Sequence, residues 1–389
     1  MTPTERQRLA ELRVLWVSAS YGYDGDLMYF GEIFRHFRER VPKMAVAVDA
    51  GTRFRNPYGI ELLPLMRQWR RPLRRRSPGG EAYATAVAVP GPALLPRLCA
   101  SSANVLIAIE FTPAALIATL AARLSRKRLV LLVESDPAAR GGSAHPLVRR
   151  VKRWAVRRAD VIQTSDAKGL RYLVEDLGAD PGAVRIAPYL TSRPPGPEAR
   201  VEAREGPLRM LFANSLVPRK GMAELLKVLA LLDPAVREAI ELTIVGDGPE
   251  RAELEARAAD LAMGERLRFV GRRPYAELGE FYAAADVLVI PSLADYRSLA
   301  GFEGLAYGLA LLASRHDGAT EETVIDGVNG YAIEPRDAAM VAERIARLAQ
   351  DRALLLRMRR ASLARYEERF SLEKVAENLA DSVALAALR

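Results

Sequence analysis

Short apolar runs alternate with longer segments of helical spacing along almost the whole chain. In the first half, the apolar runs predict strands near residues 14–18, 45–49, 85–89, 105–110, 129–134 and 161–164. In the second half, they predict strands at 209–213, 241–245, 267–270 and 287–290, with helices starting at Gly221, Glu250 and Tyr275. Strands that alternate with helices in this way are typical of parallel sheets covered by helices. The predicted class is therefore α/β, with two Rossmann-like domains.

A proline-rich segment interrupts this alternation between residues 186 and 208. Repeated prolines break helices and central strands, so we expect a linker there. The predicted organisation is a first domain at 1–190, a linker at 191–207, a second domain at 208–370 and a C-terminal helix at 371–389 that packs back towards the first domain. Two such sheets in tandem predict a ligand-binding cleft at the carboxyl ends of their strands.

The composition, with 50% hydrophobic and 27% charged residues, excludes a disordered or fibrous chain. The single cysteine, Cys99, cannot form an internal disulfide or a cysteine-based zinc site. No run approaches the ~20 apolar residues of a membrane-spanning helix, and the first residues lack the apolar core of a signal peptide. We therefore expect a cytoplasmic protein. The three histidines, His36, His145 and His316, offer no credible metal pair, and we expect no metal or cofactor.

Three segments of the second domain combine residues suited to a phosphorylated ligand. Arg219 and Lys220 precede a predicted helix start, where two cations would bind a diphosphate. Gly246 and Gly248 follow a predicted strand, where glycines allow close approach of a ligand to the backbone. Asp295 and Glu303 stand eight residues apart across a loop, and carboxylates accept hydrogen bonds from sugar hydroxyls. Taken singly, these features also suit a solvated lysine, an ordinary turn and solvated acids.

Together, these segments resemble the nucleotide-sugar half of glycosyltransferase family 4, group 1 glycosyl transferases that are retaining enzymes of the GT-B architecture. The resemblance covers about residues 207 to 370 and rests on the ordered motifs PRKG, VGDGPE, FVG, AADVLVIPS, the Asp295 to Glu303 spacing, YGLALLAS and DGVNGY. It implies two Rossmann-like domains that face each other across a cleft. It also implies transfer of a sugar from a nucleoside-diphosphate sugar to a hydroxyl acceptor, without a metal; the nucleotide sugar is a substrate, not a cofactor.

The resemblance assigns roles to individual positions. Lys220 stands where the family binds the donor diphosphate, Glu303 where it binds the ribose, and Asp295 where a glutamate faces the donor sugar. The full predicted donor set is Arg219, Lys220, Ser298 and Leu299 for the diphosphate, and Glu303, Asp295, Gly246 and Gly248 for ribose and sugar. The sequence departs from the family at Ser215, where an arginine is usual, and at Arg297 and Ser298, where the family has "FG".

The first domain carries fewer signals. Gly22, Gly25 and Asp26 stand where the family has a glycine-rich loop beside the acceptor. The family's histidine near the end of a middle strand is missing, and Glu134 and Asp136 are the nearest carboxylates. We therefore predict Glu134 and Asp136 as catalytic residues, either of which could orient the acceptor hydroxyl, and Asp295 as a catalytic residue that faces the donor sugar.

Basic residues concentrate in the first half: residues 1–200 carry 32 basic and 18 acidic side chains, whereas residues 201–389 carry 25 and 30. One basic cluster lies at 67–76 and another at 149–158, each with a tryptophan among apolar neighbours. Such amphipathic helices bind anionic membranes. The predicted membrane-facing residues are Arg70, Arg71, Arg74, Arg75 and Arg76. The alternative, strongest for the second cluster, is a domain helix whose arginines face water.

Nucleic acid is a competing partner for this basic half, but no recognised nucleic-acid-binding motif accompanies it, and we expect none. The predicted function is a retaining glycosyltransferase with a hydroxyl acceptor that is lipid-linked or a polysaccharide or glycoconjugate precursor, at the cytoplasmic face of the membrane. The alternative is a non-catalytic sensor or scaffold of the same fold that binds a nucleotide sugar, which the departures at Ser215 and Asp295 favour.

Overall fold

The computed structural model describes residues 3–17, 30–50, 58–76, 82–134 and 145–389. These residues form two compact units. The first unit lies between residues 3 and 191 and also includes Leu372–Arg389. The second unit is Ser192–Ser371. The residues between the last strand of the first unit and the first strand of the second, 187–207, contain no helix or strand.

The first unit is built on a parallel sheet of seven strands in the order β3-β2-β1-β6-β7-β8-β9. Its strands are β1 (Val14–Val17), β2 (Met44–Asp49), β3 (Glu61–Met66), β6 (Val105–Ile109), β7 (Arg128–Leu132), β8 (Val161–Thr164) and β9 (Val184–Ile186), and a separate two-stranded sheet pairs β4 (Gln68–Arg76) with β5 (Ala82–Pro90). The helices are α1 (Pro3–Glu11), α2 (Gly31–Arg40), α3 (Leu94–Ala100), α4 (Pro113–Leu124), α5 (Pro146–Val156) and α6 (Ala167–Arg171).

The second unit contains a parallel sheet of six strands in the order β12-β11-β10-β13-β14-β15. Its strands are β10 (Leu208–Ala213), β11 (Ile240–Val245), β12 (Leu267–Gly271), β13 (Val287–Ile290), β14 (Ala310–Ser314) and β15 (Gly330–Ile333). Its helices are α7 (Met222–Leu231), α8 (Pro234–Glu238), α9 (Arg251–Ala259), α10 (Tyr275–Ala284), α11 (Ala300–Ala306), α12 (Thr320–Thr323), α13 (Ala338–Gln350) and α14 (Arg352–Arg365).

The last helix, α15 (Leu372–Leu388), belongs to the first unit although it follows the second in sequence. Its apolar side chains pack in the core that also contains Trp16 of β1 and Phe34 of α2. On the same buried face, Ser382 Oγ donates to Gln163 Oε1 of β8 at 2.6 Å. The helix therefore covers one face of the seven-stranded sheet.

The strands are apolar on both faces because helices cover both sides of each sheet. Every residue of β1, β8, β13 and β14 is buried. Fully buried parallel strands are expected to be continuous apolar runs and not alternating patterns. The predicted α/β class with two Rossmann-like sheets is confirmed, and the strands predicted at 161–164 and 287–290 have these bounds.

The segment around the first basic cluster differs from the amphipathic helix that its composition predicts. Residues Gln68–Arg76 form strand β4. Pro72 lies in the middle of this segment, and an interior proline breaks a helix because it lacks the N–H and its ring clashes with the preceding turn. A two-stranded sheet tolerates proline because each strand has an unpaired edge. The helix interpretation is therefore wrong at 67–76, whereas the second cluster forms helix α5.

No helix among the residues described is long and apolar enough to cross a membrane.

Candidate functional site

The strand order of the second unit reverses between β10 and β13, which are neighbours in the sheet although β11 and β12 intervene in sequence. Ligands of open α/β sheets bind beside the carboxyl ends of strands at such a reversal. The turn after β10 contains Arg219 and Lys220, and the loop after β13 contains Asp295. The predicted donor residues of these two loops therefore lie at the edge where a ligand is expected.

Lys220 and Asp295 form an ion pair at this edge. Lys220 Nζ donates to Asp295 Oδ2, and only 8% and 11% of these side chains are exposed. Arg219 Nη1 lies 3.4 Å from Asp295 Oδ1. Gly221 closes the turn in a left-handed conformation (φ 72°), and a Cβ there would lie 1.8 Å from the carbonyl oxygen of Pro291. Glycine thus lets the two loops approach closely enough for both cations to contact one carboxylate.

Asp317, in the loop after β14, completes the charged group, which we call the edge cluster: Arg219, Lys220, Asp295 and Asp317. The backbone of Asp295 bridges to that of Asp317, and Gly318 N donates to Asp295 O at 3.2 Å. Asp317 Oδ1 accepts from Ala319 N at 2.9 Å and Ser298 N at 3.1 Å. Burial, with a smaller contribution from the Asp295 charge, raises the pKa of Asp317 to about 6.

The predicted diphosphate residues Ser298 and Leu299 lie just before α11, in a loop that Arg297 fixes in place. Arg297 makes a bidentate ion pair with Glu322 of α12, at 2.8 and 2.9 Å, and both side chains are 5% exposed. Its guanidinium also lies 4.3 Å from the ring centroid of Phe302. Where the family has "FG", this chain therefore has a buried ion pair that anchors the loop.

Glu303 is buried on α11 and accepts two hydroxyl hydrogen bonds. Ser192 Oγ donates to Oε1 at 2.6 Å and the Tyr282 hydroxyl donates to Oε2 at 2.5 Å. Burial raises the pKa of Glu303, and these two hydrogen bonds oppose that shift. Burial and the Glu303 charge raise the pKa of Tyr282 well above its ordinary value, so its hydroxyl keeps its proton. Both carboxylate oxygens of Glu303, the residue predicted to bind the ribose, thus accept hydrogen bonds from hydroxyl groups of the protein.

Gly246 and Gly248 have a structural role within the protein. A Cβ at Gly246 would lie 1.8 Å from the carbonyl oxygen of Asn214, and one at Gly248 would lie 2.2 Å from that of Leu216. The loops join through hydrogen bonds, with Leu216 N donating to Asp247 O at 3.0 Å. Close packing of the loops after β10 and β11 therefore requires glycine at both positions.

The side chain of His316 contacts Glu334, and its backbone contacts the edge cluster. Its Nε2 lies 2.7 Å from Glu334 Oε2, and both side chains are substantially exposed. Its carbonyl oxygen accepts from Asp295 N at 3.0 Å. His316 therefore contributes backbone geometry to the cluster. Among the residues described, no group of three or more histidine, cysteine or carboxylate side chains is arranged to hold a metal ion.

In the first unit, Glu134 follows β7, and its backbone N donates to Glu110 Oε1 at 2.7 Å. Glu110 follows β6, is 7% exposed and has a positive φ of 56°. A non-glycine residue in this conformation is uncommon and strained, and such residues concentrate at functional sites. Gly22, Gly25, Asp26 and Asp136 lie outside the described residues.

The second basic cluster lies on α5 and the residues just after it. Leu147 and Val148 are 63% and 43% exposed. An open depression beside the helix is lined by Pro146, Arg149, Arg150, Arg153, Trp154, Arg157 and Arg158. Arg149, Arg150 and Arg153 are exposed, so this surface combines accessible cations with accessible apolar side chains. Arg70, Arg71, Arg74, Arg75 and Arg76 lie on strand β4.

Sequence reasoning missed Asp317, Ser192, Tyr282, Glu322 and Glu110. Asp317 follows the apolar run ALLAS, which is strand β14, so its position after a buried strand was a usable signal. The pairing of Ser192 with Glu303 spans 111 residues and had no local signal.

Comparisons with known proteins all match this chain to glycosyltransferases. The family model described as glycosyl transferases group 1 matches residues 198–365. The 2-deoxystreptamine glucosyltransferase of Streptomyces kanamyceticus is 29% identical over 242 residues, covering 60% of this chain and 62% of that protein. The D-inositol 3-phosphate glycosyltransferase of Geodermatophilus obscurus is 30% identical over 273 residues, covering 66% of this chain and 59% of that protein. The matches thus span about three fifths of these relatives (62% and 59%).

Solved structures resemble almost the whole chain. HepE of Anabaena in complex with UDP matches with a TM-score of 0.70 at 17% identity, over 96% of this chain and 99% of that one. Sucrose-phosphate synthase of Thermosynechococcus elongatus matches with a TM-score of 0.63 at 18% identity, over 95% and 98%. These likenesses confirm the predicted GT-B fold.

Proposed function

The chain belongs, through residues 198–365, to the group 1 glycosyl transferases, and we propose that it is a retaining glycosyltransferase that moves a sugar from a nucleoside-diphosphate sugar to a hydroxyl acceptor. The donor binds the second unit and the acceptor binds the first. The acceptor is lipid-linked or a polysaccharide or glycoconjugate precursor, and the enzyme works at the cytoplasmic face of the membrane. Relatives named as glucosyl- and glycosyltransferases support this class of reaction.

The observation that carries the proposal is the buried Lys220 at the reversal between β10 and β13, with Arg219 beside it. Both cations contact the carboxylate of Asp295. Phosphate oxygens form the same charge-assisted hydrogen bonds as a carboxylate. Cations at the carboxyl ends of strands are therefore well suited to bind phosphate. The edge cluster therefore supplies an anion site that suits the donor diphosphate.

These cations also account for the reaction. As the bond between the anomeric carbon and the phosphate oxygen breaks, the diphosphate gains negative charge. Lys220 and Arg219 stabilise that charge in a site that excludes water, which is often the largest contribution to catalysis. The acceptor oxygen attacks from the face that the diphosphate leaves, and a diphosphate oxygen takes the acceptor proton. The configuration of the sugar is retained.

Glu303 binds the ribose in this proposal. A carboxylate can accept about four hydrogen bonds, and the Ser192 and Tyr282 hydroxyls use two of these positions. The remaining positions suit the neighbouring hydroxyls of a ribose. Ser192 and Tyr282 hold the carboxylate in one orientation before the donor arrives, which lowers the entropic cost of binding.

On the acceptor side, Glu134 is the residue proposed to orient the acceptor hydroxyl, and Glu110 is a further candidate. Their backbone-to-carboxylate hydrogen bond lies at the carboxyl ends of β6 and β7, where an α/β sheet binds its ligand. The exposed arginines and apolar side chains of α5 are suited to an anionic membrane, because each cation near such a surface contributes about 1 kcal/mol. A lipid-linked acceptor would lie in that membrane.

A thermal-shift screen against UDP-, GDP- and ADP-sugars tests donor binding, because a ligand of the native state raises the melting temperature. For a sugar nucleotide that binds, NMR then follows slow hydrolysis without acceptor and records the anomer released first. We expect the anomer of the donor. Release of the opposite anomer would contradict retention, and binding without hydrolysis would support the non-catalytic alternative.

A further inference from the structure

The two carboxyl oxygens of Asp317 differ in their hydrogen bonds to the residues that the structure describes. Its Oδ1 accepts the N–H groups of Ser298 and Ala319, whereas its Oδ2 is buried and accepts no hydrogen bond from the described part of the chain. The whole residue is 3% exposed. A buried, ionised oxygen without a partner costs free energy, so this carboxyl is held in an unfavourable place for a charge. Protonation of Oδ2 would remove the charge without breaking an existing hydrogen bond.

The edge cluster is electrically balanced when both carboxylates are ionised. Arg219 and Lys220 supply two positive charges, and Asp295 and Asp317 supply two negative charges. The diphosphate of a nucleotide sugar brings two further negative charges to the same cations. Because the surroundings are largely buried, the excess negative charge is poorly screened.

We propose that Asp317 takes up a proton when a nucleoside-diphosphate sugar binds at Lys220 and Arg219. The proton comes from the solvent and forms an O–H bond at Oδ2. Asp295 contacts both cations directly. Asp317 thereby acts as a positioning residue whose protonation state follows occupancy of the donor site. The inference rests on the proposed function.

The acid strength of Asp317 suits this role. Its pKa of about 6, raised by burial and by Asp295, leaves it mostly ionised at pH 7 in the free protein. A diphosphate nearby raises that pKa further, since like charges disfavour ionisation. Between the two pKa values, binding takes up protons, so the affinity falls as the pH rises. Well below pH 6 the carboxyl is already neutral in the free protein, and the coupling disappears.

Among the described residues near Asp317, few other groups could take up a proton when the nucleotide sugar binds. The loop after β13 contributes Asp295 and Arg297, the turn after β10 contributes Arg219 and Lys220, and the elements around Asp317 contribute His316 and Glu322. Arg297 and Glu322 pair with each other. His316 pairs with Glu334, and histidine as a residue type exchanges protons in the pH range of the experiment. His316 is therefore the group that an experiment must separate from Asp317.

Isothermal titration calorimetry of the full chain in buffers of different ionisation enthalpy measures the protons taken up on binding. The probe is whichever of UDP-glucose, GDP-mannose or ADP-glucose binds, because their diphosphates do not titrate near pH 6. We expect uptake of about half a proton or more per nucleotide sugar at pH 7, falling towards zero at pH 4.5. The dissociation constant should rise up to about tenfold per pH unit above pH 6.

Two variants assign the proton. Asp317→Asn keeps an oxygen for Ser298 and Ala319 but cannot ionise, and it should bind with no proton uptake and little pH dependence. His316→Gln, the matched control, should retain the uptake of the wild type. Loss of uptake in His316→Gln with retention in Asp317→Asn would overturn the inference.

The wild-type measurement decides the question even if Asp317→Asn fails to fold. A nucleotide sugar that binds without proton uptake at pH 7 overturns this inference and leaves the proposed function standing. Failure of all three probes to bind removes the proposed function, and the inference with it.

Discussion

The two units share a parallel sheet covered by helices, but they arrange their positive charges in opposite ways. In the second unit, Lys220 is buried at the sheet edge and paired with Asp295. In the first unit, Arg149, Arg150 and Arg153 lie exposed on α5 beside Leu147, which is 63% exposed. Buried, paired cations suit one small anion in a defined geometry, whereas exposed cations suit an extended anionic surface. The proposed function therefore uses the same fold for two kinds of recognition.

The largest effect should come from the ion pair that anchors the donor loop. Arg297→Ala leaves Glu322 buried without its partner, which typically costs about 3–5 kcal/mol. The three tryptophans, Trp16, Trp69 and Trp154, all belong to the first half of the chain. Circular dichroism reports the helices of both units, whereas tryptophan fluorescence reports the first half of the chain. The urea midpoint measured by circular dichroism should therefore shift much more than the midpoint measured by fluorescence.

Arg257→Ala is the control for that measurement, because its ion pair with Glu253 is exposed. Removal of an exposed pair should cost less than about 1 kcal/mol. Equal, small shifts for the two variants would show that the donor loop does not depend on its buried pair.

Next in size is the effect of Lys220 on turnover. Lys220→Ala should lower kcat/KM about 100- to 1000-fold, since it removes a charge that stabilises the leaving diphosphate. The measurement is release of nucleoside diphosphate from the donor that binds. Lys227→Ala is the matched control, because Lys227 lies exposed on α7. Full activity in Lys220→Ala, with its fold intact, would refute the assignment of the diphosphate to the edge cluster.

The exposed arginines of the first unit should matter for membranes and not for the donor. The triple change of Arg149, Arg150 and Arg153 to Gln should weaken binding to anionic vesicles up to about 100-fold, at about 1 kcal/mol per cation. Nucleotide-sugar binding should stay unchanged. The control changes Arg268, Arg272 and Arg273 to Gln, which removes the same charge from an exposed part of the second unit. Equal losses for both variants would mean that only net charge matters.

A pH-dependent gain in stability is expected when Asp317 is replaced. The pKa of Asp317 is about 6 in the folded protein and near 3.8 when exposed. Between these values the folded state binds more protons, so stability falls as the pH rises and the full loss is present above pH 6. Asp317→Asn should therefore have a free energy of unfolding higher than that of the wild type by up to about 3 kcal/mol at pH 7.5, and the difference should disappear below about pH 3. A difference that is the same at both pH values would contradict this shift.

Much of the second unit was predictable because its signals are local. Strand 287–290 was predicted with its observed bounds. Lys220, beside a predicted helix start, and Asp295, eight residues before Glu303, were predicted as donor residues together with the family resemblance. Strands β14 and β15 were not predicted, although both are short apolar runs. In the first unit, the arginines of 67–76 suggested a helix, and Pro72 was the residue that argued against one.

The segment 191–207 shows where local reasoning ends. Its prolines predict a linker, yet Ser192 donates to Glu303, the carbonyl oxygen of Pro194 accepts from the Tyr307 hydroxyl at 2.7 Å, and that of Arg200 accepts from Arg359. Prolines exclude regular structure but say nothing about what an irregular segment packs against. Much of the predicted linker is therefore an integral part of the second unit.

The amino-acid sequence by itself determined the α/β class, the position of most strands and the presence of two cations, Arg219 and Lys220, in the turn after β10. These properties follow from hydrophobic period and from the residue types next to each strand, which are local. Only the tertiary structure decided that Asp295 neutralises Lys220 and that Asp317 lies buried beside them with one oxygen unpartnered. Such pairings depend on which strands become neighbours in the sheet, and that order is fixed by packing between residues far apart in the chain.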